Sequence, residues 1–284
     1  MSTIRDYVSL LKLRVVALLD ATAVGVMLPA AHGHPEWTAV LAVLAGGTFA
    51  AGGAHAVNCW FDRDIDGEMY RTRRRPLPNG RIPPWHALAI GIALNVLAFV
   101  VLWVGANLLA AALAIAGSLI YVFVYTMWLK RSTPQNIVIG GSAGAIPPLV
   151  GWAAATGRLD VTALSLFAVI FFWTPPHFWA LAQLIKSDYA RARIPMLPVV
   201  AGDLSAKRQS IVYAVLTVVA SVVPFFTGSA GPVYFAAAIV LGIGLVGISI
   251  LDLEGRRWTR RLWTYSMVYV ALLFTVFAVS PFLS

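Results

Sequence analysis

The sequence predicts an all-α, polytopic membrane protein, and three observations predict it. Of the 284 residues 60% are hydrophobic and 12% charged, against about 25% charged in an ordinary soluble domain. Apolar runs recur from Val15 almost to Ser284, too many to hide in one aqueous core even though a chain of this length buries a good one. The Lys and Arg fall in short clusters between those runs. The lipid bilayer is the natural solvent for such a chain, which excludes a soluble enzyme. The net charge of +9 then reads as a topology signal, and no nucleic-acid partner is expected.

About 20 apolar residues cross roughly 30 Å of hydrocarbon at 1.5 Å per residue. Nine stretches qualify, and all are expected to be helices, because unpaired strand backbone is too costly in lipid. The first, 15–31, follows basic residues and ends in Pro29-Ala30-Ala31 like a signal peptide, but Asp20 interrupts it and favours a retained helix. The second, 37–59, runs into an acidic segment. The third and fourth are 84–105 and 108–129, and the fifth, 136–156, carries Gly140-Gly141-Ser142-Ala143-Gly144-Ala145, read as small residues for close helix packing. The sixth is 161–184, followed by 209–227, 233–253 and 262–282. The connections are too short for a soluble domain, so residues 1–284 form a single membrane domain. Cys59 is the single cysteine, which excludes an intrachain disulfide and reads as a small buried apolar residue.

Of the 21 Lys and Arg, 20 lie before the first run or after the second, fourth, sixth and eighth, and Arg158 stands alone on the other side. This positive-inside pattern places the N-terminus in the cytoplasm and the C-terminus outside. An odd number of helices requires the same. The sequence has no transit-peptide-like extension before Val15, which favours a bacterial-type inner (plasma) membrane.

Four of the 12 acidic residues, Asp62, Asp64, Asp66 and Glu68, fall within seven positions. Asn58, Asp62 and Asp66 are spaced i, i+4, i+8, so a helix continuing past Trp60 would project them from one face. Two carboxylates and an amide oxygen suit a hard divalent ion such as Mg²⁺, which shares its shell with substrate phosphates. Arg71, Arg73, Arg74 and Arg75 follow, and guanidinium pairs bidentately with phosphate. The plain alternative is a loop whose acids and arginines neutralise each other. Against it, the row begins inside a hydrophobic helix, where polar groups are costly and mark function. Asp64 and Glu68 lie on another face and read as solvated.

A second polar group is expected in the loop after the sixth helix, where Trp173-Thr174-Pro175-Pro176-His177-Phe178-Trp179 leads to Lys186-Ser187-Asp188-Tyr189. It faces the same side as the first, with Lys130 and Arg131 available as further anion ligands. A buried core histidine is the bland reading of His177, and a salt bridge with Arg191 or Arg193 that of Asp188. A membrane transporter, with charges at membrane depth and Pro-containing helices, is the competing class, but it gives no reason for a carboxylate row beside an Arg cluster.

Asn58 to Asp66 with Arg71-Thr72-Arg73-Arg74-Arg75-Pro76-Leu77-Pro78 resembles the first aspartate-rich motif of the intramembrane aromatic prenyltransferase (UbiA-type) superfamily. Trp173 to Trp179, Asp188 to Pro198, Tyr125 to Gln135 and Gly140 to Gly151 are similar to its protoheme IX farnesyltransferase branch, and the resemblance extends over about residues 8 to 280. It implies a nine-helix bundle around a central cavity opening to the cytoplasm, with farnesyl diphosphate and haem B as substrates and Mg²⁺ as the ion. It also implies haem O as product and a downstream haem A synthase or terminal-oxidase assembly factors as candidate partners. Carried over by motif, Asn58, Asp62 and Asp66 hold the metal-diphosphate, and Arg71, Arg75 and Lys130 its oxygens. Where other members carry two carboxylates four apart, this chain has Asp188 with Lys186 and Tyr189 beside it, and the resemblance implies that the haem branch shares the Asp-Tyr pattern. Asp188 is thus a weaker second metal site, and Lys186 and Tyr189 join the substrate set. His177 is placed on the haem side, toward iron, a propionate or water. Transfer to a quinone precursor such as 4-hydroxybenzoate shares the first motif and stands as the alternative within the superfamily.

Overall fold

The computed structural model describes residues 3–283; residues 1, 2 and 284, the ends of the expected single domain, lie outside them. A short helix α1 (Ile4–Leu10) precedes α2 (Leu13–Ala30). Next come α3 (Trp37–Phe61), the one-turn α4 (Arg63–Asp66), α5 (Pro84–Gly105) and α6 (Leu108–Leu119), which passes through a π-helical stretch, Ile120–Leu129, into α7 (Lys130–Ser132). The rest is α8 (Asn136–Thr156), α9 (Val161–Leu184), α10 (Lys186–Arg191), α11 (Leu197–Val200), α12 (Gly202–Phe226), α13 (Pro232–Leu251) and α14 (Arg256–Val279). The described residues contain nine helical spans long and apolar enough to cross a membrane, and no strand. The protein is a multi-pass membrane protein.

Each spanning helix packs on the next in chain order, and α14 closes the ring on α2, while α2 also meets α8 and α14 meets α9. The outer faces expose Leu18, Trp37, Trp103, Val104, Phe226 and Val240, a surface stable only against hydrocarbon. Small residues set the closest approaches. A Cβ on Gly151 would lie 1.9 Å from the Ala23 carbonyl oxygen, and one on Gly140, in the small-residue run of the fifth span, would lie 2.3 Å from the Tyr125 ring. Asp20, which interrupts the first apolar run, accepts a 2.7 Å bond from the Thr48 hydroxyl, so the carboxylate is partnered within the bundle.

Two expectations shift. The seventh and ninth helices begin at Gly202 and Arg256 rather than 209 and 262, because their first turns are polar and hydropathy does not register them. Trp173 to Trp179 lies inside α9 rather than in a loop. Pro175 and Pro176 are accommodated there, with the Thr174 hydroxyl bonded to the Ile170 carbonyl, because neighbouring helices and hydroxyls satisfy freed backbone groups at membrane depth.

Candidate active site

The site forms where the end of α3 meets the end of the π-helical stretch. Helix α3 stops at Phe61, but Asp62 N–H still bonds the Asn58 carbonyl and Asp66 N–H the Asp62 carbonyl. Helical continuity therefore brings Asn58, Asp62 and Asp66 to one face as their spacing predicts. All three are buried, Asp62 with no exposed surface. The Asn58 amide donates to Asp62 Oδ2 at 2.7 Å and to Thr126 Oγ1 at 3.2 Å, and its oxygen accepts from Lys12 Nζ at 2.9 Å.

Cations answer the carboxylates. Lys130 pairs with Asp62. Arg75 grips Asp66 with one nitrogen at 2.9 and 2.7 Å from the two oxygens. Arg131 makes a two-nitrogen pair with Asp64 at 2.7 and 2.8 Å and reaches Asp62 at 3.5 Å. The Arg131 hydrogen bond pulls the Asp64 carboxyl below its usual range. Asp64 is exposed as expected, yet joined to the site's edge, and Glu68 is exposed. The π-helical stretch ends at this corner: Lys130 N–H bonds the Tyr125 carbonyl, five residues back, Thr126 Oγ1 donates to the Tyr121 carbonyl at 2.8 Å, and π-turns concentrate at functional sites.

Lys12 is the site residue that sequence reasoning missed. Its charge reads as a topology signal from sequence, but a left-handed backbone (φ 52°) between α1 and α2 directs its side chain inward to Asn58. Removal from water lowers its pKa to about 8. A non-glycine residue held in that conformation carries strain of the kind found at binding sites. Four cations, Lys12, Arg75, Lys130 and Arg131, thus face three carboxylates, leaving an excess of positive charge for an anion to balance.

The second polar segment reaches the first through an apolar seam of Met69, Ile137, Ala182, Tyr189, Ile194 and Met196. Arg71 lies over the Tyr189 ring at 5.7 Å, and burial pushes the Tyr189 hydroxyl's pKa up. The segments at Asp62, Lys130 and Tyr189 therefore converge as predicted. Lys186 departs from its expected place, because it pairs with exposed Asp203 at 2.8 Å and lines a separate cleft of about 320 Å³ with Lys207 and Arg256. Asp188 is buried, 3.9 Å from Arg191, the bland alternative for it. Among the described residues no group of three or more His, Cys, Asp or Glu stands together as a metal centre, so Asp188 does not complete a cluster with Asp62 and Asp66. His177 stacks on Trp173 at 4.5 Å, with Nδ1 2.8 Å from the Ser266 hydroxyl of α14.

Known proteins share this architecture. A solved structure of digeranylgeranylglyceryl phosphate synthase superposes with a TM-score of 0.84 at 18% identity, covering 99% of each chain. A UbiA homologue from Archaeoglobus fulgidus bound to DMAPP and Mg²⁺ gives 0.73 at 17% identity, covering 96% of this chain and 99% of that one. Among sequences, a Roseiflexus species protein named protoheme IX farnesyltransferase is 51% identical, covering 98% of this chain and 52% of its own length. Proteins of the same name from Symbiobacterium thermophilum and Gloeobacter violaceus are 49% and 50% identical, covering 95% and 98% of this chain and 92% of each relative. The chain thus spans about half the Roseiflexus relative and nearly all of the other two. The UbiA prenyltransferase profile matches residues 18–257, and the chain belongs to that family.

Proposed function

We propose that the protein transfers the farnesyl group of farnesyl diphosphate to a vinyl group of haem B with addition of water, giving haem O and diphosphate. The observation that carries this reading is the buried Asn58-Asp62-Asp66 row enclosed by Lys12, Arg75, Lys130 and Arg131. The protoheme IX farnesyltransferase name of relatives near 50% identity supports the choice of substrates. Two carboxylates without a third Asp, Glu, His or Cys among the described residues do not make a protein-only metal cage, but they fit Mg²⁺, which binds through one or two carboxylates and substrate phosphates. Asp62 and Asp66, with Asn58, would hold it; when bound, it stabilises charge developing on the leaving oxygens.

The chain's own groups do the remaining work. Lys130 and Arg75 exchange their carboxylates for diphosphate oxygens, with Lys12 and Arg71 at the flanks, so that fixed cations favour the separating diphosphate over the intact ester. The apolar bundle keeps the farnesyl chain dry while allylic positive charge exists. His177 and Trp173 lie on the haem side, and Asp188 orders the Tyr189 segment. The site faces the cytoplasm, a reading supported by the one-sided Lys and Arg distribution. The test is purified protein in lipid with haem B, farnesyl diphosphate and Mg²⁺, the porphyrins followed by mass spectrometry. Farnesylated hydroxyethyl haem is expected; prenylated 4-hydroxybenzoate with untouched haem would move the assignment to a quinone precursor. His177→Ala is expected to weaken haem binding or turnover, and a variant unchanged in both would remove His177 from the site.

A further inference from the structure

His55 of α3 is 8% exposed, and both ring nitrogens are buried without a hydrogen-bond partner. Its ring meets Tyr121 edge-on at 5.2 Å, and Lys12 and Arg75 are the cations close enough to act on it. Native proteins rarely leave such a group unsatisfied, and each instance calls for a cause. His55 precedes Asp62 by two helical turns, which places it within about 20° of the same azimuth and about 10 Å further along α3 toward the membrane interior. That is the layer just inside the carboxylate row, where the reacting end of a prenyl diphosphate held by the row would enter the apolar bundle.

We propose that His55 is a proton relay: one ring nitrogen accepts a proton from the water that adds to the product, while the other donates one to the departing diphosphate. This rests on the reaction proposed above. There, the allylic C–O bond breaks with its electron pair left on the diphosphate, and the vinyl π pair forms the new C–C bond. A water lone pair then closes the C–O bond at the remaining cationic carbon, and the oxygen sheds its surplus proton. The stoichiometry therefore moves one proton from water to diphosphate. A neutral imidazole offers one acceptor and one donor nitrogen, and in His55 both are unfilled. After the step the ring is again neutral with its tautomer exchanged, and it resets as products leave. His177 does not fit this role, because its Nδ1 is engaged by Ser266.

His55→Gln and His55→Phe in the full-length protein in lipid test the relay, with haem B, farnesyl diphosphate and Mg²⁺ supplied and products resolved by mass. Without it, the cationic adduct loses a proton instead of gaining water, and the product is lighter by one water. The expected result is slowed diphosphate release, unchanged haem binding, and a ratio of hydroxylated to dehydrated product at least tenfold below wild type. A wild-type ratio with wild-type diphosphate release in His55→Gln overturns the relay and makes His55 a packing residue; if His55→Phe does not fold, the Gln variant decides alone. Slowed or abolished diphosphate release without a fall in that ratio also overturns it, by confining His55 to the leaving group. A wild type that makes no farnesylated porphyrin overturns the reaction and the relay with it, whereas an active wild type with an unaltered ratio in the variants overturns the relay alone.

Discussion

Asp62, with no exposed surface, touches an amide, an ammonium and a guanidinium. Breaking a buried pair by removing one partner leaves an uncompensated charge and costs about 3 to 5 kcal/mol, whereas removing both is close to neutral. Lys130→Met is therefore expected to lower stability in detergent by about 3 kcal/mol. The Asp62→Asn/Lys130→Met double variant should recover most of that loss while remaining inactive. Thermal unfolding and diphosphate release check the two halves, and a fully active double variant would contradict the role of the pair. Lys12→Met should raise the KM for farnesyl diphosphate about tenfold, the worth of one charge-assisted hydrogen bond, with Lys12→Arg closer to wild type. The carboxylate row was legible in the sequence because i, i+4 spacing survives wherever the backbone stays near helical. Lys12 was not, because it reaches Asn58 from 46 residues away through a left-handed turn. Proximity to a motif likewise did not fix the direction of Lys186, which turns to Asp203.

Among the elements, the contact of α2 with α8 is the least forgiving, since a Cβ on Gly151 would meet backbone at 1.9 Å. Backbone does not yield as a side chain does, so Gly151→Val is expected to destabilise the protein by about 1 to 3 kcal/mol or more. Gly140→Ala meets the Tyr125 side chain instead, from the ring at 2.3 Å to Cβ at 3.0 Å, so the new methyl displaces Tyr125 on the π-helical stretch. That variant should lose turnover more than thermal stability, and an unfolding transition lowered as far as in Gly151→Val would contradict the distinction. The nine spans were readable because length and apolarity are what lipid selects. Less readable were features that hydropathy averages away: the polar first turns of α12 and α14, and the π-helical stretch that carries Thr126 and Lys130 to Asn58 and Asp62.

For the whole molecule, the one-sided charge predicts which ends of the helices meet the cytoplasm. In a Cys59→Ala background, a cysteine at Arg73 should react with an impermeant thiol reagent only from the cytoplasmic side, and one at Arg158 only from the other. The reverse pattern would invert the topology and place the site outside. The convergence of three segments at one end of the bundle is a property of the assembled ring, and sequence order alone gives it only through the alternation of helix directions. Three of the four cations at the site, Arg75, Lys130 and Arg131, are already paired with carboxylate, so the account requires those pairs to open onto a metal-diphosphate. Titration of farnesyl diphosphate into the wild-type protein, with Mg²⁺ and then with excess EDTA, tests this most directly, with Asp62→Asn and Asp66→Asn alongside. The account predicts binding at least tenfold tighter with Mg²⁺, a difference abolished in both variants; equal affinity with and without the ion would contradict it.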